Sequence, residues 1–496
     1  MTAARSGVRI VVMSLALTAL AVGARAQDAP GAALSFTAAQ EQLLARSDSL
    51  AAARAGLRAS QDQAAAVRGL GGPSVFLDAQ VLAYRKTIDV ALDPAKQLVQ
   101  ASVDGFLASL PSLLPGVPNG VLDQMATGIE QRVSSALTGL PSSARLSVEE
   151  ALFRPTVAAV APIYTGGLVT ATKAAAQAGV RQADAELAAS ADTAVLRLVQ
   201  AYYGQQLADQ VLRVSTENRD GFERHYQDAL KFEREGFLSK AQRLQVQVAR
   251  DAAQRQYERA VAEYEISRTV LSETLDEKAP VTPTSPLFVG AAPLPPAQEF
   301  VDAALADQPE LKKLDAMRDQ AAQGVKAAQA AQKPKVFGFA EYNLNPDDAL
   351  LIEPDWIVGV GVHYALLTGL DRGKAVSAAR QRELQAGHAA RAARSALETA
   401  TVRAHRQVET ARRQYGLLAV NMEAARENLR LNELAFREGQ ANTAEVIDAR
   451  VALSIAQTQR AAAAYEYDLA LAALLVASGR MGRYADYADR AERVTP

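Results

Sequence analysis

Glu235-Gly236-Phe237-Leu238-Ser239-Lys240-Ala241 returns later in the chain as Glu438-Gly439-Gln440-Ala441-Asn442-Thr443-Ala444, at an offset of 203 residues (438 − 235). The same offset pairs Tyr164-Thr165-Gly166 with Leu367-Thr368-Gly369, Ala208 with Ala411, Tyr264 with Tyr467 and Leu271 with Leu474. A register held from Tyr164 to Leu271 without a gap marks a tandem repeat, and a repeat has to be found before any fold is assigned. Upstream, Leu50 matches Leu311, Pro73 matches Pro334 and Val75-Phe76 match Val336-Phe337, now at an offset of 261 (336 − 75). The first copy therefore carries about 58 extra residues (261 − 203), between Leu92 and Val148.

Outward from the turn motifs, both flanks read as helix. Gly167–Glu235 and Leu370–Glu438 contain no proline and are rich in alanine, and Met422, Ala425, Leu429, Asn432 and Phe436 form a heptad stripe. Unbroken helices of that length would reach roughly 100 Å. A glycine turn and a returning helix make two helical hairpins, 167–277 and 370–480. Pro280, Pro283, Pro286, Pro293, Pro295 and Pro296 make 278–297 an extended connector between the copies.

Each copy also holds a pair of strands ahead of its long helix. Strands are expected at about 73–86 and 151–165, with a long inserted loop at about 93–148, and again at about 334–345 and 355–367. The last is the clearest. Trp356, Val358, Val360, Val362 and Tyr364 point one way, and Gly359, Gly361 and His363 the other. An apolar face with aromatics at both ends suits the lipid side of an outer-membrane barrel. An ordinary sheet with one buried face shows the same alternation.

The ends and the composition narrow the class. Arg5 and Arg9 precede the apolar run Ile10–Val22, and Ala24-Arg25-Ala26 fits a cleavage site, so 1–26 reads as an export signal peptide rather than an uncleaved anchor. No later stretch is apolar for the length a membrane helix needs, so any insertion would use strands. The repeats then span 27–277 and 298–480, followed by a charged tail, 481–496, expected to be loosely ordered. The 496 residues include no cysteine, which excludes disulfides, thiolate metal sites and cysteine nucleophiles. Four scattered histidines leave little for a metal centre, and a net charge of −2 argues against a nucleic-acid surface. Aromatic residues are 5% of a chain that is 49% hydrophobic, a balance suited to closely packed helices.

These features resemble the TolC family of outer-membrane efflux channels, from about Phe36 to Gly479. The residues that carry the resemblance are Phe232-x-x-Glu235-Gly236-x-x-Ser239, the run Phe436-Arg437-Glu438-Gly439-x-x-Asn442-Thr443-Ala444-Glu445-Val446-Ile447-Asp448-Ala449, and the junctions Pro162-Ile163-Tyr164-Thr165-Gly166-Gly167 and Leu366-Leu367-Thr368-Gly369. The resemblance implies a mainly α fold with a β-barrel: two tandem repeats of strand hairpin plus long helical hairpin. It implies a homotrimer with a single 12-stranded barrel in the outer membrane, continuous with an α-helical tunnel across the periplasm. It further implies a channel component of a tripartite efflux or type I secretion system, working with a periplasmic adaptor (membrane fusion) protein and an inner-membrane transporter. No enzymatic activity, cofactor, metal or nucleic-acid partner is expected.

Particular residues acquire roles on the same ground. Glu445 and Asp448 would form the acidic ring of a periplasmic gate, where the first copy has Gln242 and Gln245. From periodicity alone they read as solvated helix-face charges, and the gate role rests on the resemblance. Gly236, Ser239, Gly439, Asn442 and Thr443 would be adaptor-contact tips, and Trp356, Val358, Val360, Val362 and Tyr364 the lipid-facing barrel surface. The insert would cap the exit on the cell exterior or form a passive surface loop. A soluble periplasmic coiled-coil scaffold is the competing reading, and it leaves the Trp356–Tyr364 strand unexplained. An enzyme is disfavoured, because HExxH, GxSxG, P-loop and CxxC motifs are all missing.

Overall fold

The computed structural model describes residues 33–113, 118–348 and 354–493, and the export signal expected over 1–26 lies outside them. In chain order come β1 (Ala33–Leu34), α1 (Phe36–Arg46), α2 (Asp48–Ala66), β2 (Ser74–Ala91), α3 (Asp93–Leu113), α4 (Asn119–Thr138) and β3 (Ser143–Tyr164). Next are α5 (Leu168–Arg234), α6 (Lys240–Thr274), β4 (Thr282–Pro283), β5 (Phe288–Val289), α7 (Ala297–Asp307), α8 (Pro309–Ala330) and β6 (Lys335–Asn343). The chain continues through β7 (Trp356–His363), α9 (Arg372–Arg437), α10 (Thr443–Ala477), α11 (Tyr484–Arg490) and β8 (Glu492–Arg493). These divide into a helical unit (residues up to 68, 171–325 and from 373) and a sheet unit (69–170 and 326–372).

In the helical unit, alanine sets the packing. Ala171, Ala178 and Ala185 of α5 are buried at seven-residue spacing, as are Val246, Ala253 and Ala260 of α6, and Ala449, Ala456 and Ala463 of α10. Small side chains on a heptad seam let long helices approach closely. Along the α9 stripe the two buried members are Leu429 and Phe436, again seven apart.

A belt of large side chains supplies the main core. Phe36, Tyr202, Tyr203, Phe288, Tyr467 and Tyr484 are all buried. Phe36 stacks on Tyr203 at 5.4 Å and meets Tyr484 at 5.1 Å, and Phe288 lies 5.8 Å from Tyr203. The Tyr202 hydroxyl donates to the Leu34 carbonyl (2.7 Å) and accepts from the Ser285 amide (2.8 Å). Gln206 Nε2 donates to the Pro283 carbonyl (2.8 Å). The proline-rich connector is thus strapped to α5 by side-chain bonds to a backbone that proline bars from helix formation. The tail differs from the expectation of loose order. Met481 and Tyr484 are buried, and α11 continues from them, because these two apolar residues three apart enter the belt.

In the sheet unit, four antiparallel strands lie in the order β2-β3-β6-β7. The outer edges of β2 and β7 have no strand partner among the described residues. β6 and β7 pair from Lys335↔His363 to Tyr342↔Trp356. The first ladder is far longer, running from Ser74↔Val160 to Ala91↔Ser143. Strands expected to end near 86 and begin near 151 therefore extend to Ala91 and from Ser143, and the inserted segment carries a helical pair, α3 and α4. Along the added ladder the polar pairs Thr87↔Ser147 and Asp89↔Arg145 alternate with the apolar pairs Ile88↔Leu146 and Val90↔Ala144. Arg85 pairs with Glu149, and Arg145 with Asp89 at 2.9 Å.

Candidate functional site: helical tips and membrane face

Each helical hairpin turns through the same backbone device. Gly236 and Gly439 have φ of 82° and 70°, a left-handed conformation that glycine adopts without cost. The Phe237 amide donates to the Phe232 carbonyl (2.8 Å), and the Gln440 amide to the Ala435 carbonyl (2.7 Å). These bonds close a Schellman motif at both helix ends.

The returning helices begin with matched capping boxes. Ser239 Oγ accepts from the Gln242 amide (3.3 Å), and Gln242 Oε1 accepts from the Ser239 amide (3.0 Å). In the second copy, Asn442 Oδ1 accepts from the Glu445 amide (3.0 Å), and Glu445 Oε2 accepts from the Asn442 amide (3.3 Å). Glu445, expected at the gate, is thus already tied to its own helix start. Asp448 is exposed one turn further along. Gly236, Ser239, Gly439 and Asn442 are exposed, whereas the Thr443 side chain is buried. Sequence reasoning passed over Phe237, which stands 79% exposed at the first tip.

Behind the tips, α5 meets α9 and α10. The His225 ring packs edge-on against Phe436 at 4.8 Å, and Phe232 lies 5.5 Å from the same phenylalanine. Arg450 reaches across Gly221, where any Cβ would collide with its guanidinium, and pairs with Glu433. A cavity of about 230 Å³ opens beside them. Burial, reinforced by the charge of Arg450, pushes the His225 imidazole from 6.5 down to about 4. The sequence had shown His225 only as one of four scattered histidines; its place in a seam depends on tertiary packing.

In the sheet unit, Trp356, Val358, Val360, Val362 and Tyr364 are 50–68% exposed on one face. By register, Ala340 and Gly338 of β6, Val157 and Ala159 of β3, and Val75 and Leu77 of β2 continue that face. Val81 and Phe153 extend it, and it ends where the Arg85–Glu149 ion pair appears. The opposite face is less polar than the glycines of β7 suggested. Phe339 and Phe337 lie over Gly359 and Gly361, so the small residues seat aromatic rings. Further along this face, Arg154 and Glu341 pair at 2.7 Å.

Among the described residues, no helix is long and apolar enough to cross a membrane, and no cluster of His, Asp or Glu is arranged to hold a metal ion.

Comparison with known proteins identifies the arrangement. No curated protein matches the chain. Among solved structures, a membrane protein from Pseudomonas aeruginosa superposes with a TM-score of 0.69 at 14% identity, over 90% of this chain and 93% of that one. The outer membrane protein VceC from Vibrio cholerae gives 0.67 at 14% identity, over 90% and 96%. The Campylobacter jejuni CmeC outer membrane channel gives 0.68 at 12% identity, over 92% and 90%. Identities this low speak for the fold alone. Residues 300–480 match the family described as "Outer membrane efflux protein". The match to that family rests on those residues, and the fold of the chain is that of the outer-membrane channels on which it superposes.

Proposed function

We propose that the chain is the outer-membrane channel of a tripartite efflux or type I secretion system. In this reading three copies close a twelve-stranded barrel, and their helical units form a duct through the periplasm. The observation that carries the reading is an apolar sheet face, bracketed by Trp356 and Tyr364, on a sheet whose two edges are open. Unpaired strand edges are not tolerated in lipid, so four strands must find partners, and three copies supply an even number. An apolar groove of about 770 Å³ between α5 and α6, lined by Leu207, Val211, Ile266 and Val270, offers the helices a further surface for a neighbouring copy.

Glu445 and Asp448 are the proposed acidic ring of the periplasmic gate, six carboxylates in the trimer, which favours cations at a narrow entrance. The tips at Gly236, Ser239, Gly439 and Asn442 are proposed to meet the adaptor, with the exposed Phe237 as an apolar knob. Thr443, buried within its own protomer, would shape that surface from beneath. The inner-membrane transporter would choose the cargo.

The test is recovery and conductance. The protein should be extracted from membranes only with detergent, run as a heat-modifiable trimer, and conduct in planar bilayers. Full recovery from the soluble periplasm as a non-conducting protein would leave the coiled-coil scaffold reading in its place.

A further inference from the structure

We propose that His225 is a proton-responsive pin between the tips of the two helical hairpins, and that the seam it holds loosens in a mildly acidic medium. The pin is argued from the packing of one protomer; its effect on transport rests on the channel reading above.

The geometry comes first. His225 belongs to α5 of the first repeat, and its ring is 5% exposed. It packs against Phe436 of α9 and lines the adjoining cavity together with Val446 and Arg450 of α10. Its Nε2 is buried with no hydrogen-bond partner. The one side chain therefore borders both helices of the second hairpin.

The charges around it decide the response. From α5, Arg224 and Asp228 line the adjoining cavity. From α9 come Glu433 and Arg437, and from α10 Arg450. Both oxygens of Glu433 are already engaged, one by Arg450 and the other by Arg437. Asp228 favours a charged imidazole, but burial and Arg450 oppose it and prevail. Protonation would place a new N–H at Nε2, where no acceptor waits, next to a guanidinium that cannot give up its own charge.

The sign follows by linkage. The docked ring titrates at about 4, whereas a solvated one titrates at 6.5. The parted seam thus binds more protons than the docked seam. Docking is fully supported above 6.5, and the support is lost as pH falls through the interval to about 4. Three copies around one entrance would respond together.

The test uses the full-length chain, whose lack of cysteine allows spin labels at Gln227→Cys and Glu438→Cys, both exposed positions. Labelled chains are diluted with unlabelled ones, and distances are measured from pH 7.5 to pH 4.5. The expected result is a shift toward longer distances, with its midpoint between 4 and 6.5. That shift should vanish in His225→Leu and in His225→Gln, the second retaining a polar group should the first fold poorly. No shift in the native background, or an equal shift in both variants, overturns the proposal. Conductance is recorded in parallel. Label separation without any change in conductance upholds the pin and counts against the channel reading instead.

Discussion

The Phe339 ring lies across Gly359 so closely that a Cβ on the glycine would come within 2.7 Å of the ring Cζ. The two residues are directly paired across β6 and β7. Gly359→Val should force the ring off the strand and cost about 1–3 kcal/mol by overpacking. Phe339→Ala should relieve most of that clash, so the double variant should be less destabilised than the sum of the single changes. Denaturant unfolding in micelles measures the cycle, and strict additivity would remove the contact from the account of the sheet.

The capping box separates two roles of Glu445. Gln242 performs the same bond in the first repeat, so Glu445→Gln should keep the start of α10 intact, whereas Glu445→Ala should cost about 1 kcal/mol. Glu445→Gln combined with Asp448→Asn then deletes charge with little effect on folding. In planar bilayers the pair should weaken block by divalent cations. Unaltered block would mean that these carboxylates stand away from the constriction.

The insert can be removed cleanly. The Leu92 amide donates to the Ser142 carbonyl at 2.8 Å, so replacing residues 93–141 with a two-residue turn preserves the ladder below. If α3 and α4 narrow the exit, single-channel conductance should rise and its noise should fall. Identical traces would make the helical pair a passive surface addition.

Asp468 is fully buried beside the aromatic belt, with one carboxylate oxygen accepting from the Phe288 amide at 3.4 Å and the other lacking a partner. Burial drives its pKa well above the ordinary carboxylate value. A carboxyl raised in the fold contributes stability that is intact below pH 3.8 and lost as pH climbs through the raised value. Between pH 3.8 and the raised value the loss is about 1.4 kcal/mol per pH unit, and it levels off beyond. Asp468→Asn should therefore flatten the alkaline limb of the stability profile, as thermal melts at several pH values would record.

The helices and strand pairs could be read from the sequence because their signals are local. Proline-free alanine runs, a glycine at each turn and the period-two pattern from Trp356 to Tyr364 need no tertiary information. What could not be read depends on partners distant in the chain. The ladder from Lys86 to Ala91 is held partly by the Arg145–Asp89 ion pair, whose partners lie 56 residues apart in the chain. The tail reads as charged because four of the residues from Arg483 to Arg490 are ionic, yet Met481 and Tyr484 anchor it. At the candidate site the exposed tips followed from the repeat, while the His225 seam did not, because α5 and α9 meet there across more than two hundred residues.

The aromatic belt gathers Phe36, Phe288 and Tyr484 into one cluster, so it draws on the start, the middle and the end of the described chain. A growing chain cannot complete this cluster until Tyr484 of α11 has been added. Completion of the belt thereby waits on α11. Before that moment the long helices can form, but the clasp that joins the two repeats stays open.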